Sequence, residues 1–332
     1  MPTERADLDA WAAARVLVFG ATGFIGSWVA RRLGDAGAQL TLAVRDRDAA
    51  ATLEAGPQRR TTIVEVDVCD DARVAALLRA VRPHVTFNLA GYGVDHAERE
   101  AGPAHRVNAG FVGVLCAAVA AHRDPAWRGQ ALVHTGSQLE YGPIGGDLHE
   151  DAEPAPTTMY GRSKLAGTRA LAGCAVAHRL PALTARLFMV YGPGEHDGRL
   201  LPTLIEAAAT GAAIPLTSGT QRTDFVYVED VAEGLLRLAL VQAEPGVIVN
   251  LASGRLTSIR AFAEQAAALL GIPDQRLRFG ALPQRPETLQ YEPVSNARLR
   301  ALTGWVPSTN VSDGIRRTMN LRERTHESDS GA

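Results

Sequence analysis

A chain of 332 residues with 46% hydrophobic and 21% charged side chains can bury a sizeable core, which excludes a fibrous or disordered polymer and suggests two domains, or one large α/β domain with an appendage. The formal net charge of −2 supplies no basic field for a phosphate backbone, so nucleic acid is excluded as a partner and any bound polyanion is small. Cys69, Cys116 and Cys174 are odd in number and lack ligand spacing, which points to a reducing compartment and to no metal site. Met1 to Trp11 carries Glu4, Asp7 and Asp9 where a signal peptide would be basic and then apolar. The longest apolar stretch, Phe111 to Ala121, is shorter than the roughly 20 residues that span a bilayer. The expectation is a cytoplasmic protein without a membrane anchor.

Short β-branched runs alternate with alanine-rich stretches, a pattern that predicts βαβ units and a parallel sheet. The expected strands are Arg15 to Phe19, Gln39 to Val44, Thr62 to Val66, Val85 to Leu89, Ala131 to Thr135 and Ala182 to Leu187. Between them lie expected helices over Phe24 to Asp35, Ala49 to Ala55, Ala72 to Val81, His105 to His122 and Thr158 to His178. Right-handed crossovers make this an α/β fold with a doubly wound parallel sheet. Gly142 to Pro156 is rich in Gly, Pro and acid, and reads as a long functional loop. Past Tyr191 prolines break the chain into shorter elements. The expected organisation is a doubly wound domain over 11–188, with 224–250 returning to its sheet as strand, helix and strand. Residues 189–223 and 251–320 form a smaller mixed α/β lobe, and 321–332 a polar tail.

After the first strand, Gly20-Ala-Thr22-Gly23-Phe24-Ile25-Gly26 is a turn whose glycines let the backbone approach a pyrophosphate while free N–H groups at the helix start meet its charge. At the end of the second strand, Arg45 favours the 2′-phosphate of NADP(H), and Asp46 beside it leaves NAD possible. Asp67, with Val68 after it, ends the third strand near where an adenine amino group would lie; the carboxylate serves equally to start the next helix. Leu89, Ala90 and Gly91 end the fourth strand with the small residues that close passage of a cofactor requires.

Lys164 is the one lysine among 34 basic residues, so it stands where a compact ammonium does something a guanidinium cannot. It falls four residues after Tyr160, on the same helix face. A phenol needs a neighbouring cation to exchange a proton near neutrality. Ser137, at the end of the fifth strand, completes a hydroxyl pair able to hold a carbonyl oxygen.

Together with Asn88-Leu-Ala-Gly91, Tyr141-Gly142, Tyr191-Gly-Pro-Gly194, Asp224-Phe-Val-Tyr-Val-Glu-Asp230 and Leu302-Thr-Gly-Trp305, these motifs resemble the extended short-chain dehydrogenase/reductases, and more narrowly their sugar-nucleotide epimerase/dehydratase branch. The likeness runs in one order from Arg15 to Thr318. It implies a Rossmann sheet and hydride transfer between a nicotinamide and a sugar carbon. Tyr160 would be the acid/base, Ser137 would polarise the oxygen, and Lys164 would bind ribose and lower the tyrosine pKa. Asn108 sits where the family often has an asparagine supporting the site, although its position is equally that of a helix-surface amide. A homodimer through the two helices after the fourth and fifth strands follows by analogy.

Dehydratases and decarboxylases of this family carry an acid one or two positions after the serine; here those positions hold Gln138 and Leu139. Glu140 is the nearest carboxylate and should point to another side. Arg45 then favours an NADP(H)-dependent reductase of a keto-sugar nucleotide of the 4-keto-6-deoxyhexose type over a 4-epimerase that retains NAD. A non-catalytic nucleotide-binding regulator would have no need of an acid/base pair. Met189 and Thr223 replace the asparagine and arginine with which many relatives grip the substrate phosphates. The candidates for substrate contact are Tyr92, Gln138, Arg199, Arg222 and Arg285, of which Arg285 lies at a family-like position.

Overall fold

The computed structural model describes residues 9–53, 60–93, 98–143, 147–283 and 293–330. The first half runs β1 (Arg15–Phe19), α1 (Phe24–Asp35), β2 (Gln39–Val44), β3 (Thr61–Glu65), α2 (Asp71–Val81), β4 (Val85–Asn88), α3 (Ala101–His122), β5 (Leu132–Ser137), α4 (Met159–His178) and β6 (Ala182–Leu187). β1, α1, β2 and β6 have the bounds expected from hydrophobic periodicity, and the other strands differ by one or two residues. The expected helix Ala49 to Ala55 is a 3-10 turn over Asp48–Leu53, and Ala55 lies outside the described residues. α3 begins four residues before the expected His105, because Pro103 sits in its first turn, where a helix has no N–H to lose. That makes α3 the one helix among the described residues long and apolar enough to cross a membrane, and half of it is buried inside the fold.

Seven strands form the main sheet in the order β10 (Val247–Leu251), β6, β5, β4, β1, β2, β3, with every pair parallel. The order reverses between β1 and β4, where an α/β sheet opens a crevice at the carboxyl ends of its strands. β4, β5 and β6 are buried along their whole length, as strands covered on both faces must be. Successive β1 residues serve opposite cores. Val16 and Val18 pack with Trp28 and Val29 of α1 and Leu235 of α6 (Val228–Leu240). Leu17 and Phe19 pack with Leu77 of α2, Leu115 of α3 and Leu171 of α4. Each such side chain, fully buried, contributes about 1.5–3 kcal/mol.

The remaining chain is built on β7 (Met189–Tyr191), α5 (Leu200–Thr210), β8 (Ile214–Leu216), β9 (Arg222–Tyr227), β11 (Leu256–Ser258), α7 (Ile259–Leu270), β12 (Leu277–Phe279), α8 (Ala297–Thr303) and α9 (Val311–Ser330). β9 pairs parallel with β7 and antiparallel with β11, and β8 pairs with β12. The strand-helix-strand segment 224–250 therefore does not return whole to the main sheet: α6 and β10 join it, whereas β9 stays in the small sheet. Its aromatic residues explain why. Phe225 stacks on Phe262 of α7 at 4.2 Å between ring centres, and Tyr227 packs against Tyr191 of β7 at 5.7 Å.

α3 and α4 approach closely at a π turn over Arg106–Gly110. A β-carbon at Gly167 of α4 would overlap the backbone carbonyl of Asn108. Replacing Gly167 by Ala should therefore cost about 1–3 kcal/mol, as over-packing does. The check is a lower urea midpoint at unchanged m-value.

Candidate active site

The Gly-rich turn closes against the end of β4. Gly20 has φ +77°, and a β-carbon there would stand 2.6 Å from the Ala90 nitrogen and the Leu89 carbonyl carbon, so only glycine fits. Gly23 caps α1 without any side-chain bond to its first turn, which leaves the leading N–H groups available to an anion. Phe24 and Ile25 are half-buried and Thr22 is exposed at the same turn. Arg45 is exposed just beyond β2, while Asp46 accepts the Asp48 N–H at 2.9 Å and so starts the 3-10 turn. Asp67 accepts the Cys69 N–H at 2.9 Å, next to half-buried Val68. These groups share the crevice edge of the sheet and fit a dinucleotide.

Asn108 is fully buried, so the helix-surface alternative falls. Its Oδ1 accepts the Tyr92 N–H at 2.9 Å, and its Nδ2 donates to the Tyr92 carbonyl at 2.8 Å and to Ser163 Oγ at 2.9 Å. One amide thus clamps the segment after β4 to α4. Tyr160 stands at the start of α4, which Thr158 caps by accepting the Gly161 N–H at 2.8 Å. A β-carbon at Gly93 would meet the Tyr160 ring at 3.0 Å, so the glycine makes room for the phenol. The Tyr160 phenol is pushed up to about 12, by burial first and then by the negative charge of Glu140, with Arg199 opposing and Glu98 adding. Lys164, expected to oppose that rise, is not among the charges acting on it. It is buried beneath, where burial pushes it down to about 8 against the pull of Glu140, and where its charge helps to keep buried His134 neutral.

Ser137 is extended at the end of β5, and its Oγ accepts the Leu139 N–H at 3.2 Å. Its own N–H donates to Glu140 Oε1 at 2.8 Å. The other oxygen of Glu140 accepts from Thr168 Oγ1 at 3.0 Å and from Arg186 Nε at 2.9 Å, and the pair is essentially inaccessible to water. Glu140 stands in a 3-10 turn rather than on the strand, and its charge acts on Tyr160 and Lys164 although its oxygens are engaged; that role was invisible in the sequence, because Arg186 lies 46 positions on in the chain. Gln138 accepts the Thr223 hydroxyl at 3.0 Å and so ties the end of β5 to β9. Arg199 lies 3.4 Å from Met189 Sδ and acts on Tyr160. Arg222, expected at the substrate, does not join the cluster. It precedes Thr223 on β9, so alternation sends it to the opposite face, where it is exposed and donates to the Leu256 carbonyl at 3.4 Å. Tyr92 is half-buried at the opening, and Arg285 lies outside the described residues. Sequence reasoning missed Asp224, whose buried carboxylate accepts the N–H groups of Ser253, Gly254 and Arg255 at 2.7–3.1 Å. No group of three His, Cys, Asp or Glu residues suited to a metal occurs among the described residues. Removing one partner of a buried ion pair costs about 3–5 kcal/mol. Glu140→Gln should lose that much by denaturant unfolding, and adding Arg186→Met should restore most of it.

Residues 16–252 match the model of the "NAD dependent epimerase/dehydratase family". A dTDP-6-deoxy-L-talose 4-dehydrogenase (NAD(P)(+)) of Kitasatospora kifunensis is 29% identical over 315 residues, 92% of this chain and 94% of that protein. A dTDP-glucose 4,6-dehydratase of Neisseria gonorrhoeae is 27% identical over 326 residues, covering 92% and 94%. The solved dTDP-glucose 4,6-dehydratase of Bacillus anthracis in complex with NAD shares the fold, with TM-score 0.81, 19% identity and coverage of 95% and 98%. So does the epimerase Mth375 of Methanothermobacter thermautotrophicus, with TM-score 0.84, 21% identity and coverage of 98% of both chains. A family match over more than two thirds of the chain, on a parallel sheet with a Gly-rich turn packed against the end of β4, establishes that this chain belongs to the NAD dependent epimerase/dehydratase family and is an NAD(P)-dependent enzyme with a Rossmann-like fold.

Proposed function

We propose that the enzyme is an NADP(H)-dependent reductase of a nucleotide-linked 4-keto-6-deoxyhexose. The observation that carries this reading is that neither residue at the two positions after Ser137 is an acid and that Glu140, the next one on, is locked to Arg186, with Gln138 bonded to Thr223; Glu98, the other carboxylate acting on Tyr160, is engaged by the Gly93 N–H at 2.6 Å. Elimination of water needs such an acid; reduction of a ketone does not. The dTDP-6-deoxy-L-talose 4-dehydrogenase relative supports a thymidine-linked sugar oxidised or reduced at C4, and Arg45, exposed at the end of β2, supports NADP(H).

A bound nicotinamide supplies the hydride. The Gly20-to-Gly26 turn, Arg45, Asp67, Val68, Leu89, Ala90, Gly91 and Asn108 would hold it, with Lys164 at the ribose. Ser137 Oγ holds the ketone oxygen. Tyr160, kept protonated at neutral pH by its raised pKa of about 12, donates its phenolic proton to that oxygen as the carbon accepts the hydride, so the alcohol forms in a single balanced step. The described residues of 11–188, with α6 and β10, carry the cofactor, and those of 189–223 and 251–320 cover the sugar; residues 321–330, expected as a tail, continue helix α9. The enzyme works in the cytoplasm as a homodimer through α3 and α4.

The alternative is a 4-epimerase that keeps its NAD. Denaturing fresh protein and identifying the released nucleotide separates the two. The reductase reading expects an empty site that binds NADPH better than NADH; near-stoichiometric NAD would favour the epimerase. Tyr160→Phe should lower kcat by about 10²–10⁴-fold with NADPH affinity intact. A variant as active as the wild type would overturn both enzymatic readings.

A further inference from the structure

A second charged pair lies in the segment after β7 and has no part in the chemistry above. Glu195 stands four residues before Arg199, at the entry to α5, and only 6% of its side chain is exposed. Its Oε1 is 3.5 Å from Arg199 Nε, and Oε2 has no hydrogen-bond partner. A carboxylate is expensive to bury and is tolerated where a cation offsets the loss of water. Here the offset comes chiefly from the Arg199 guanidinium, with the Gly192 backbone adding to it. The segment is braced for that purpose. Trp28 Nε1 of α1 donates to the Pro193 carbonyl at 2.9 Å, the Glu195 N–H to the Gly192 carbonyl at 3.2 Å, and the Arg199 N–H to the His196 carbonyl at 3.3 Å.

The other end of Arg199 faces the active site. Its Nη2 lies 3.4 Å from Met189 Sδ, a poor acceptor that leaves the donors of that nitrogen available, and 39% of its side chain is exposed. Its charge is the positive one that acts on the Tyr160 phenol. With Arg222 turned to the other face of β9, Arg199 is the guanidinium among the substrate candidates of the described residues that the fold brings to Tyr160. A free arginine samples many rotamers, whereas one held at Nε presents its outer nitrogens in a single direction.

We propose that Glu195 is a positioning residue: its buried carboxylate holds Arg199 by Nε so that the outer nitrogens of the guanidinium take the diphosphate of the nucleotide sugar. This rests on the nucleotide-sugar reading above. The charged group facing Glu195 is Arg199; the elements packed on its segment present Phe24 and Trp28 from α1 and Met189 from β7, none of which titrates. Burial pushes the Glu195 carboxyl up to about 7 against the pull of Arg199. Protonation below that pH releases the guanidinium, and Glu195→Gln imitates the released state.

The test is calorimetric titration of dTDP into the NADP⁺-loaded full chain at pH 8, for wild type, Glu195→Gln, Arg199→Ala and the double variant, with NADP⁺ affinity measured alongside. Each single change should weaken dTDP by about tenfold, the size of one charge-assisted contact. The double variant should be no weaker than Arg199→Ala, and NADP⁺ affinity should stay unchanged. Additive losses, an unaltered dTDP affinity in Glu195→Gln, or parallel loss of NADP⁺ binding would overturn the positioning role. Wild-type protein that binds neither dTDP nor UDP would instead sink the nucleotide-sugar reading and the diphosphate grip with it. A ¹³C-carboxyl titration assigned through Glu195→Gln then tests the pair itself. Arg199→Ala should drive the Glu195 midpoint further up, and an unmoved midpoint means that the two side chains are not coupled.

Discussion

Glu140 places a full negative charge where water does not reach, and the site is arranged by what that charge requires. Its two oxygens take the Ser137 N–H, the Thr168 hydroxyl and Arg186 Nε. Arg186 in turn lies 4.3 Å over the Tyr141 ring, whose hydroxyl donates to Asn250 Oδ1 at 2.7 Å. One buried ion pair therefore joins the end of β5 to α4, β6 and β10. Apolar packing alone allows a helix to slide by a fraction of a turn over a sheet at little cost. Directed bonds to a desolvated charge do not, because a displaced partner leaves a charge uncompensated. Ser137 is bonded directly into this network, and Tyr160 is carried on the same helix as Thr168.

The same interaction decides the chemistry by subtraction. A carboxylate committed to Arg186 is withdrawn from proton transfer, and its field together with burial holds the Tyr160 phenol in its protonated form. Positive charge reaches that phenol from the small-sheet side, through Arg199. The two halves of the chain act on that phenol together: Glu140 at the end of β5 raises its pKa, and Arg199 in the segment after β7 opposes the rise. Gln138 and Thr223 bridge these halves with a neutral hydrogen bond at 3.0 Å. Asn108 does comparable work beside the phenol, tying the backbone of Tyr92 to α4 through one amide.

Local signals carried the reading where a single element determines the answer. β1, α1, β2 and β6 were legible to the residue, since short runs set off from alanine-rich stretches mark strands buried on both faces, and period-3.6 burial marks the helix. The start of α3 was not, because Pro103 reads as a breaker until it is seen to occupy a first turn. β9 was assigned to the wrong sheet for a similar reason. Its apolar residues fit either core equally well in sequence, and the stacking of Phe225 on Phe262, 37 positions away, settles which one it joins.

By itself the sequence determined the first six strands of the main sheet to within a residue or two, the glycine turn after β1, the Tyr160 and Lys164 spacing on one helix, and the lone lysine. Each of these is a constraint between residues close in the chain or within one repeating element. Only the tertiary structure decided that Glu140 belongs to Arg186, that Asn108 is a buried clamp, that Arg222 turns away while Arg199 turns in, and that Glu195 is buried behind it. The reason is physical. The direction of a side chain and the loss of its water depend on neighbours from distant strands, and a charge acquires its role from the partner it finds there rather than from its place along the chain.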